Sequence, residues 1–226
     1  MEQLDQIVNT ISMTMGAAWA SGINLYATIL VLGLVGMTDS AILPDSLQIL
    51  TNPLVIGAAG LMYLVEFFAD KMPGVDTGWD CIHTFIRVPA GALLAMGAVG
   101  EVDPAFTLAA AIVGGGMAAA THATKAGTRV IINTSPEPIT NWSASIAEDI
   151  TVISGLWVAL HYPWAFICLL IIFILLMIWA LPRIWRGIKM IFGTIKRFFG
   201  SNKPGVSSIK NDAGKQPEVR NREEIN

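Results

Sequence analysis

Positive charge is scarce in this chain and unevenly placed. Of 226 residues only 14 are lysine or arginine, and none precedes Lys71. A nucleic-acid role is excluded on that ground, because phosphate binding needs a basic face and none is present. The first ten residues carry Glu2 and Asp5 and no base. They lack the positive n-region of a cleaved secretory signal, so the first apolar stretch is expected to stay as an anchor. Cysteine is nearly absent. Cys81 and Cys168 form no paired motif, so no disulfide is expected. A glycine-rich phosphate loop with its lysine is missing, as is a nucleophile elbow, and the triplet Gly114-Gly115-Gly116 falls within an apolar run. No cofactor is called for.

What the chain has in abundance is apolar sequence. Apolar residues make up 54% and charged residues 14%, and mean hydropathy is positive, which is too apolar for an ordinary soluble domain. A spanning helix needs about 20 predominantly apolar residues. The apolar stretches read as six of them, at 11–37, 53–70, 79–100, 104–125, 142–160 and 163–182. The expected class is therefore all-α, a polytopic membrane helix bundle over residues 1–182. Pro89, which cannot donate to the carbonyl of Phe85, is expected to break the third helix. Lys71 and Arg87 belong to the second connection or just inside the third helix, Lys125 and Arg129 to the fourth connection, and every other base follows the sixth helix. The first, third and fifth connections hold Asp39, Asp45, Glu101 and Asp103 and no base. Short basic loops stay cytoplasmic. Both termini are therefore expected in the cytoplasm, with the bundle in a bacterial inner membrane.

Beyond the sixth helix, Arg183, Arg186, Lys189, Lys196 and Arg197 fall within one helical arc and isoleucine and phenylalanine fill the rest. Residues 183–200 read as an amphipathic helix on the inner leaflet, with anionic lipid as its partner. Residues 201–226 are polar and are expected to be disordered.

The polar residues inside the apolar stretches are arranged in stripes. Glu66 and Asp70 are four apart and share a helix face. Asp76, Asp80, His83 and Arg87 lie at i, i+4, i+7 and i+11, and His122, Lys125 and Arg129 at i, i+3 and i+7. Asn141, Ser145 and Glu148 share a face, with Asp149 beside them, and Asn24 interrupts the first apolar run. Ionisable groups at membrane depth are costly unless paired or wet, and they mark sites more often than chance. Candidates for binding a solute or ion are thus Glu66, Asp70, Arg87, His122, Glu148, Asp149 and Asn24. Arg87 is expected to pair with Glu148 or Asp149. Lys71, Asp76, Lys125 and Arg129 read as a salt-bridged cap. Asp76, Asp80 and His83 also offer two acids and an imidazole to a divalent metal.

Several of these residues form a recognisable set: Ala20-Ser-Gly-Ile-Asn24, Glu66-x3-Asp70-Lys-x-Pro73 with Asp76, Arg87-x-Pro-x-Gly91, and Asn133-x-Ser-Pro-Glu-Pro138 with Asn141, Ser145 and Glu148-Asp149. Across the first five helices the chain resembles a family of small bacterial inner-membrane proteins known as a domain of unknown function. The resemblance implies the membrane architecture and brings no activity. Three functions remain open. One is a small transporter or channel-like protein for an unknown polar or ionic solute, with or without proton coupling. The second is a metal-dependent enzyme on lipid headgroups, using Asp76, Asp80 and His83. The third is a non-catalytic membrane partner.

Overall fold

The computed structural model describes residues 1–72, 74–134 and 138–200, with the side chains of 138 and 195–200 outside that set. All regular structure among the described residues is helical. The order is α1 (Glu2–Ile23), α2 (Leu25–Met37), a 3-10 helix (Asp45–Thr51), α3 (Pro53–Ala69), α4 (Val75–Val99), α5 (Pro104–Ile132), α6 (Pro138–His161) and α7 (Pro163–Gly200). The chain divides into two compact units, Met1–Met190 and Ile191–Asn226. The described residues of the second, 191–200, are helical. The expected tail 201–226 and the side chains of Lys196 and Arg197 lie outside the described residues.

Local chemistry explains the helix starts. Asn52 caps α3, accepting from the Leu54 amide at 2.9 Å, and Asp103 caps α5, accepting from Ala105 at 2.8 Å. In each case a proline follows at the first helical position, where its missing N–H costs nothing. Four helices, Val75–Val99, Pro104–Ile132, Ile139–His161 and Pro163–Thr194, are long and apolar enough to cross a membrane. The 3-10 helix and α3, bent by 66° at their junction, make a fifth if taken as one span.

Two expected features change. The first apolar stretch is not one helix but two, because Asn24 sits in an extended conformation (φ −146°, ψ 100°) between them. Its side-chain oxygen accepts from the Ala27 amide at 2.9 Å and so starts α2 afresh. At 13 residues α2 is about 20 Å long, short of a bilayer core of about 30 Å. The prolines, in turn, do not end their helices. α4 runs through Pro89 and α7 runs through Pro182. A proline inside a helix removes one hydrogen bond and crowds the carbonyl four residues back, a loss that a helix packed on its neighbours can absorb without ending; Pro89 itself is exposed.

α1 is the central element, buried without interruption from Gly16 to Ile23. It packs against α4, α5 and α6, while α4 and α5 pack most extensively on each other. Glycines make the close approaches possible. A side chain at Gly22 would collide with the backbone of Ala118, and one at Gly114 would come within 3.2 Å of the Gly91 carbonyl oxygen. Trp19 of α1 meets Phe166 and Phe173 of α7 edge to face, with ring centroids 6.0 and 5.8 Å apart. This contact holds α1 in place just before its C-terminal end, where the Asn24 break enters the charged interior.

A buried network of four acids and three bases

Each charged stripe faces inward. Asp76, Asp80, His83 and Arg87 of α4 are all buried, as are His122, Lys125 and Arg129 of α5. α6 adds Asn141, Ser145 and Asp149, continuous with a face of Val152, Leu156 and Ala159. α3 contributes Glu66 and Asp70 at its end. Arg87 and Arg129 are the largest fully buried side chains among the described residues. Unpaired, such charges would cost far more than a fold can supply.

They are paired by crossing between helices. Arg87 Nη2 donates to Glu66 Oε1, and Nη1 donates to Asp80 Oδ1 at 3.2 Å and to His122 Nδ1 at 2.9 Å. Lys125 Nζ donates to Asp70 Oδ2 at 2.8 Å and to the Ile23 carbonyl at 3.1 Å. It also lies 3.5 Å from Glu66, 3.5 Å from Glu148 and 3.8 Å from Asp80. Arg129 holds Glu148 with two nitrogens, Nη2 at 2.7 Å and Nε at 3.2 Å. Its Nη1 donates to the Asp70 carbonyl at 3.1 Å and to the Asn141 side chain. A guanidinium matched to a carboxylate in this way fixes geometry as well as charge.

Arg87 decides the form of His122. A guanidinium can only donate, so His122 Nδ1 must be the acceptor and the ring proton sits on Nε2. Nε2 faces Thr84 Oγ1 at 2.8 Å and the Asp80 carbonyl at 3.1 Å.

The linked ion pairs join four carboxylates, Glu66, Asp70, Asp80 and Glu148, to three bases, Arg87, Lys125 and Arg129. With every group ionised these seven groups hold one excess negative charge; Glu148 is their half-buried member, with 20% of its side chain exposed, and Lys71, buried and donating to Ser145 Oγ at 3.4 Å, is a further base outside the linked pairs. The network's hydrogen bonding is also incomplete: Glu66 Oε2, Asp70 Oδ1 and Asp80 Oδ2 are buried without a hydrogen-bond partner, as is Asp149 Oδ2 beside the network. A groove reaches this interior. It lies between α4, α5 and α7, has a volume of about 430 Å³, and includes Asp80 in its lining.

The sequence candidates therefore sort differently from expectation. Glu66, Asp70, Arg87, His122 and Glu148 come together. Asp149 stands beside them, bound to Asn24 Nδ2 at 3.1 Å. Arg87 does not pair with Glu148 or Asp149; Glu66 and Asp80 take that place, and Glu148 belongs to Arg129. Stripe positions reveal depth along a helix but not which helices are neighbours. Lys125 and Arg129, read as a cap, are instead the hubs. A base facing the same side as the small residues of α5 is the signal that would have found them.

The metal expectation is corrected. Asp76, Asp80 and His83 do not converge, and among the described residues no three acidic, histidine or cysteine side chains form a metal group. Asp76 is consumed by the amides of Gly74 and Thr77 at 2.8 and 2.6 Å and by Asn133 Nδ2 at 2.8 Å. His83 lies against Tyr26 Oη at 3.1 Å and the Trp79 carbonyl at 2.8 Å. Asp80 faces Arg87 and Lys125.

Asn24 is both cap and tether, which gives a sharp expectation. Asn24→Ala removes the α2 cap and strips Asp149 of its donor, at a cost of about 1–3 kcal/mol. Asn24→Asp keeps a cap acceptor but sets a second carboxylate against Asp149, and is expected to destabilise at least as much. Thermal unfolding in detergent would show both; an unchanged Tm for Asn24→Ala would contradict the tether.

Helices of this length and apolarity, packed around a charged interior, define a multi-pass helical membrane protein. Residues 11–183 match the family described as a Domain of unknown function (DUF4126), and the chain belongs to that family. The matched stretch contains every residue of the network. No curated protein and no solved structure matches the chain.

Proposed function

We propose that this chain is a small transporter or channel-like protein of a bacterial cytoplasmic membrane, moving a polar or ionic solute together with, or in the form of, a proton or small cation. The observation that carries this reading is the one-carboxylate excess of the linked network together with its buried carboxylate oxygens on Glu66, Asp70 and Asp80 that have no hydrogen-bond partner. A purely structural salt-bridge cap would be balanced, because an unmatched buried charge destabilises the fold. One proton or one monovalent cation balances it here. Glu66 is assigned the central role, since it touches both Arg87 and Lys125 and has a bare second oxygen. Asp70, Asp80 and Glu148 share the charge, and His122 and Asn24 orient Arg87 and Asp149.

The test is flux in proteoliposomes. The purified chain should dissipate an imposed proton or sodium gradient faster than empty vesicles do. Glu66→Gln and Asp70→Asn should each lower that rate while leaving a monodisperse protein. Equal rates in protein-containing and empty vesicles, for protons, sodium and potassium alike, would refute the reading.

Orientation is part of the proposal. Both termini are assigned to the cytoplasm, because the connections holding Asp39, Asp45, Glu101 and Asp103 carry no base. Cysteines introduced beside Asp45 and Asp103 should react with an impermeant maleimide added outside intact cells; protection there, with reaction only after lysis, would reverse the assignment. Arg183, Arg186, Lys189, Lys196 and Arg197 are assigned to anionic headgroups of the inner leaflet, each worth about 1 kcal/mol near such a surface.

A further inference from the structure

The groove between α4, α5 and α7 combines two properties rarely found together. Its walls are apolar, with Val130 from α5 and Leu181, Ile184 and Ile188 from α7. Yet its lining includes Asp80, a member of the network that carries the excess negative charge. Asp80 is only 1% exposed, and its Oδ2 has no hydrogen-bond partner. A volume of about 430 Å³ falls within the usual range of small-molecule sites, about 300–1,000 Å³.

We propose that this groove binds an amphiphilic organic cation, its apolar body against Val130, Ile184 and Ile188 and its charged head drawn to Asp80. The inference rests on reading the network as an ion-handling site and names the class of solute that site accepts. The chemistry selects against the alternatives. A neutral hydrocarbon gains the apolar walls but leaves the Asp80 oxygen and the excess charge as they were. An anion would be repelled by the net charge of the network. A small hydrated cation would gain the charge but make no use of the apolar walls. A cation carrying its charge on an apolar body satisfies both surfaces. Arg87 and Lys125 do not cancel this attraction, because they are shared among four carboxylates.

The groove contains its own reporter. Cys81 lines it, is exposed, and follows Asp80 directly in the chain. In the full chain carrying Cys168→Ser, reconstituted in nanodiscs, the rate of Cys81 alkylation by N-ethylmaleimide reads occupancy of the groove. Benzyltriethylammonium should slow alkylation about fivefold at a concentration a few times its Kd. Its uncharged isostere, with a quaternary carbon in place of nitrogen, should leave the rate unchanged. Asp80→Asn should abolish protection by the cation. Because Asp80 also belongs to the network, Ala123→Phe provides a second variant: Ala123 is an exposed lining residue, and the added ring should fill the groove and remove protection without touching a charge. Equal protection by the cation and its isostere would make the groove an apolar slot for acyl chains and overturn the proposal. So would unprotected Cys81 in the presence of the cation, or protection that survives both variants. This binding measurement needs no transport. Protection without ion flux would overturn the transport reading alone, and flux without protection would overturn the groove alone.

Discussion

Arg87→Ala is expected to remove most of the folded protein. Arg87 is fully buried, and its guanidinium holds Glu66, Asp80 and His122 together at the junction of α3, α4 and α5. Truncating it leaves two carboxylates facing each other around Lys125 alone. Removing one partner of a buried pair typically costs about 3–5 kcal/mol, whereas removing both is much milder. Since whole domains are stable by only about 5–15 kcal/mol, the single variant forfeits a large share. Glu66→Ala should lose a comparable amount, because it strands Arg87 Nη2. The double variant Arg87→Ala/Glu66→Ala should regain much of the yield of monodisperse protein, with Asp80 still served by Lys125 at 3.8 Å. Arg87→Ala combined with Glu148→Ala should show far less recovery, because Glu148 is held by Arg129. Strict additivity for the Arg87 and Glu66 pair, or recovery with Glu148 instead, would contradict the observed pairing.

Gly22→Val is expected to be nearly as damaging, although it changes no charge. A Cβ at position 22 would lie 2.5 Å from the Ala118 carbonyl oxygen, 2.8 Å from Thr121 Cβ and 3.0 Å from Ala118 Cα. Two of these atoms are backbone, so no rotamer change relieves the clash, and α1 must move off α5. Overpacking of this kind costs about 1–3 kcal/mol and occasionally more. Here a second loss follows. The Gly22 carbonyl lies 3.5 Å from Arg87 Nη1, and the next carbonyl, of Ile23, accepts from Lys125 at 3.1 Å. Displacing α1 withdraws both acceptors from the network. Gly22→Ala should give the same defect in milder form. Gly116→Val is the control, since a Cβ there meets nothing within 4 Å. Size-exclusion recovery and thermal unfolding should rank Gly22→Val far below Gly116→Val; equal behaviour would mean that α1 does not seat against α5 this closely.

Much of this architecture was legible in the sequence, and the failures share a cause. Helical periodicity put Asp76, Asp80, His83 and Arg87 on one face, and all four are buried. The same holds for His122, Lys125 and Arg129. Period and polarity depend on a single helix, so one sequence contains them. Which helix faces which is a property of the assembled bundle. Stripe positions therefore assign Arg87 to the wrong acid and make Lys125 and Arg129 a cap rather than hubs. The Asn24 break was hidden for a different reason: apolar residues continue on both sides, and nothing in hydropathy distinguishes a capping asparagine from one packed inside a helix. Pro89 misleads in the opposite sense, since a helix supported by its neighbours tolerates the loss of one hydrogen bond, and the apolar stretch bounded at 182 likewise continues as helix. The proposed metal site arose from three residues sharing a stripe. Sharing a face is not sharing a focus, and each of the three is occupied by different partners.

The central claim is that the four-acid, three-base network holds one excess negative charge that a mobile cation or proton neutralises. Charge displacement on a solid-supported membrane tests it most directly, because binding alone generates a signal and turnover is not required. A jump in pH or in monovalent cation concentration over membranes containing the intact protein should give a transient current. Glu66→Gln, which removes the excess charge while Asp80 still engages Arg87, should abolish it. Transients of the same size from the intact protein, Glu66→Gln and protein-free membranes would contradict the claim and return the network to a purely structural role.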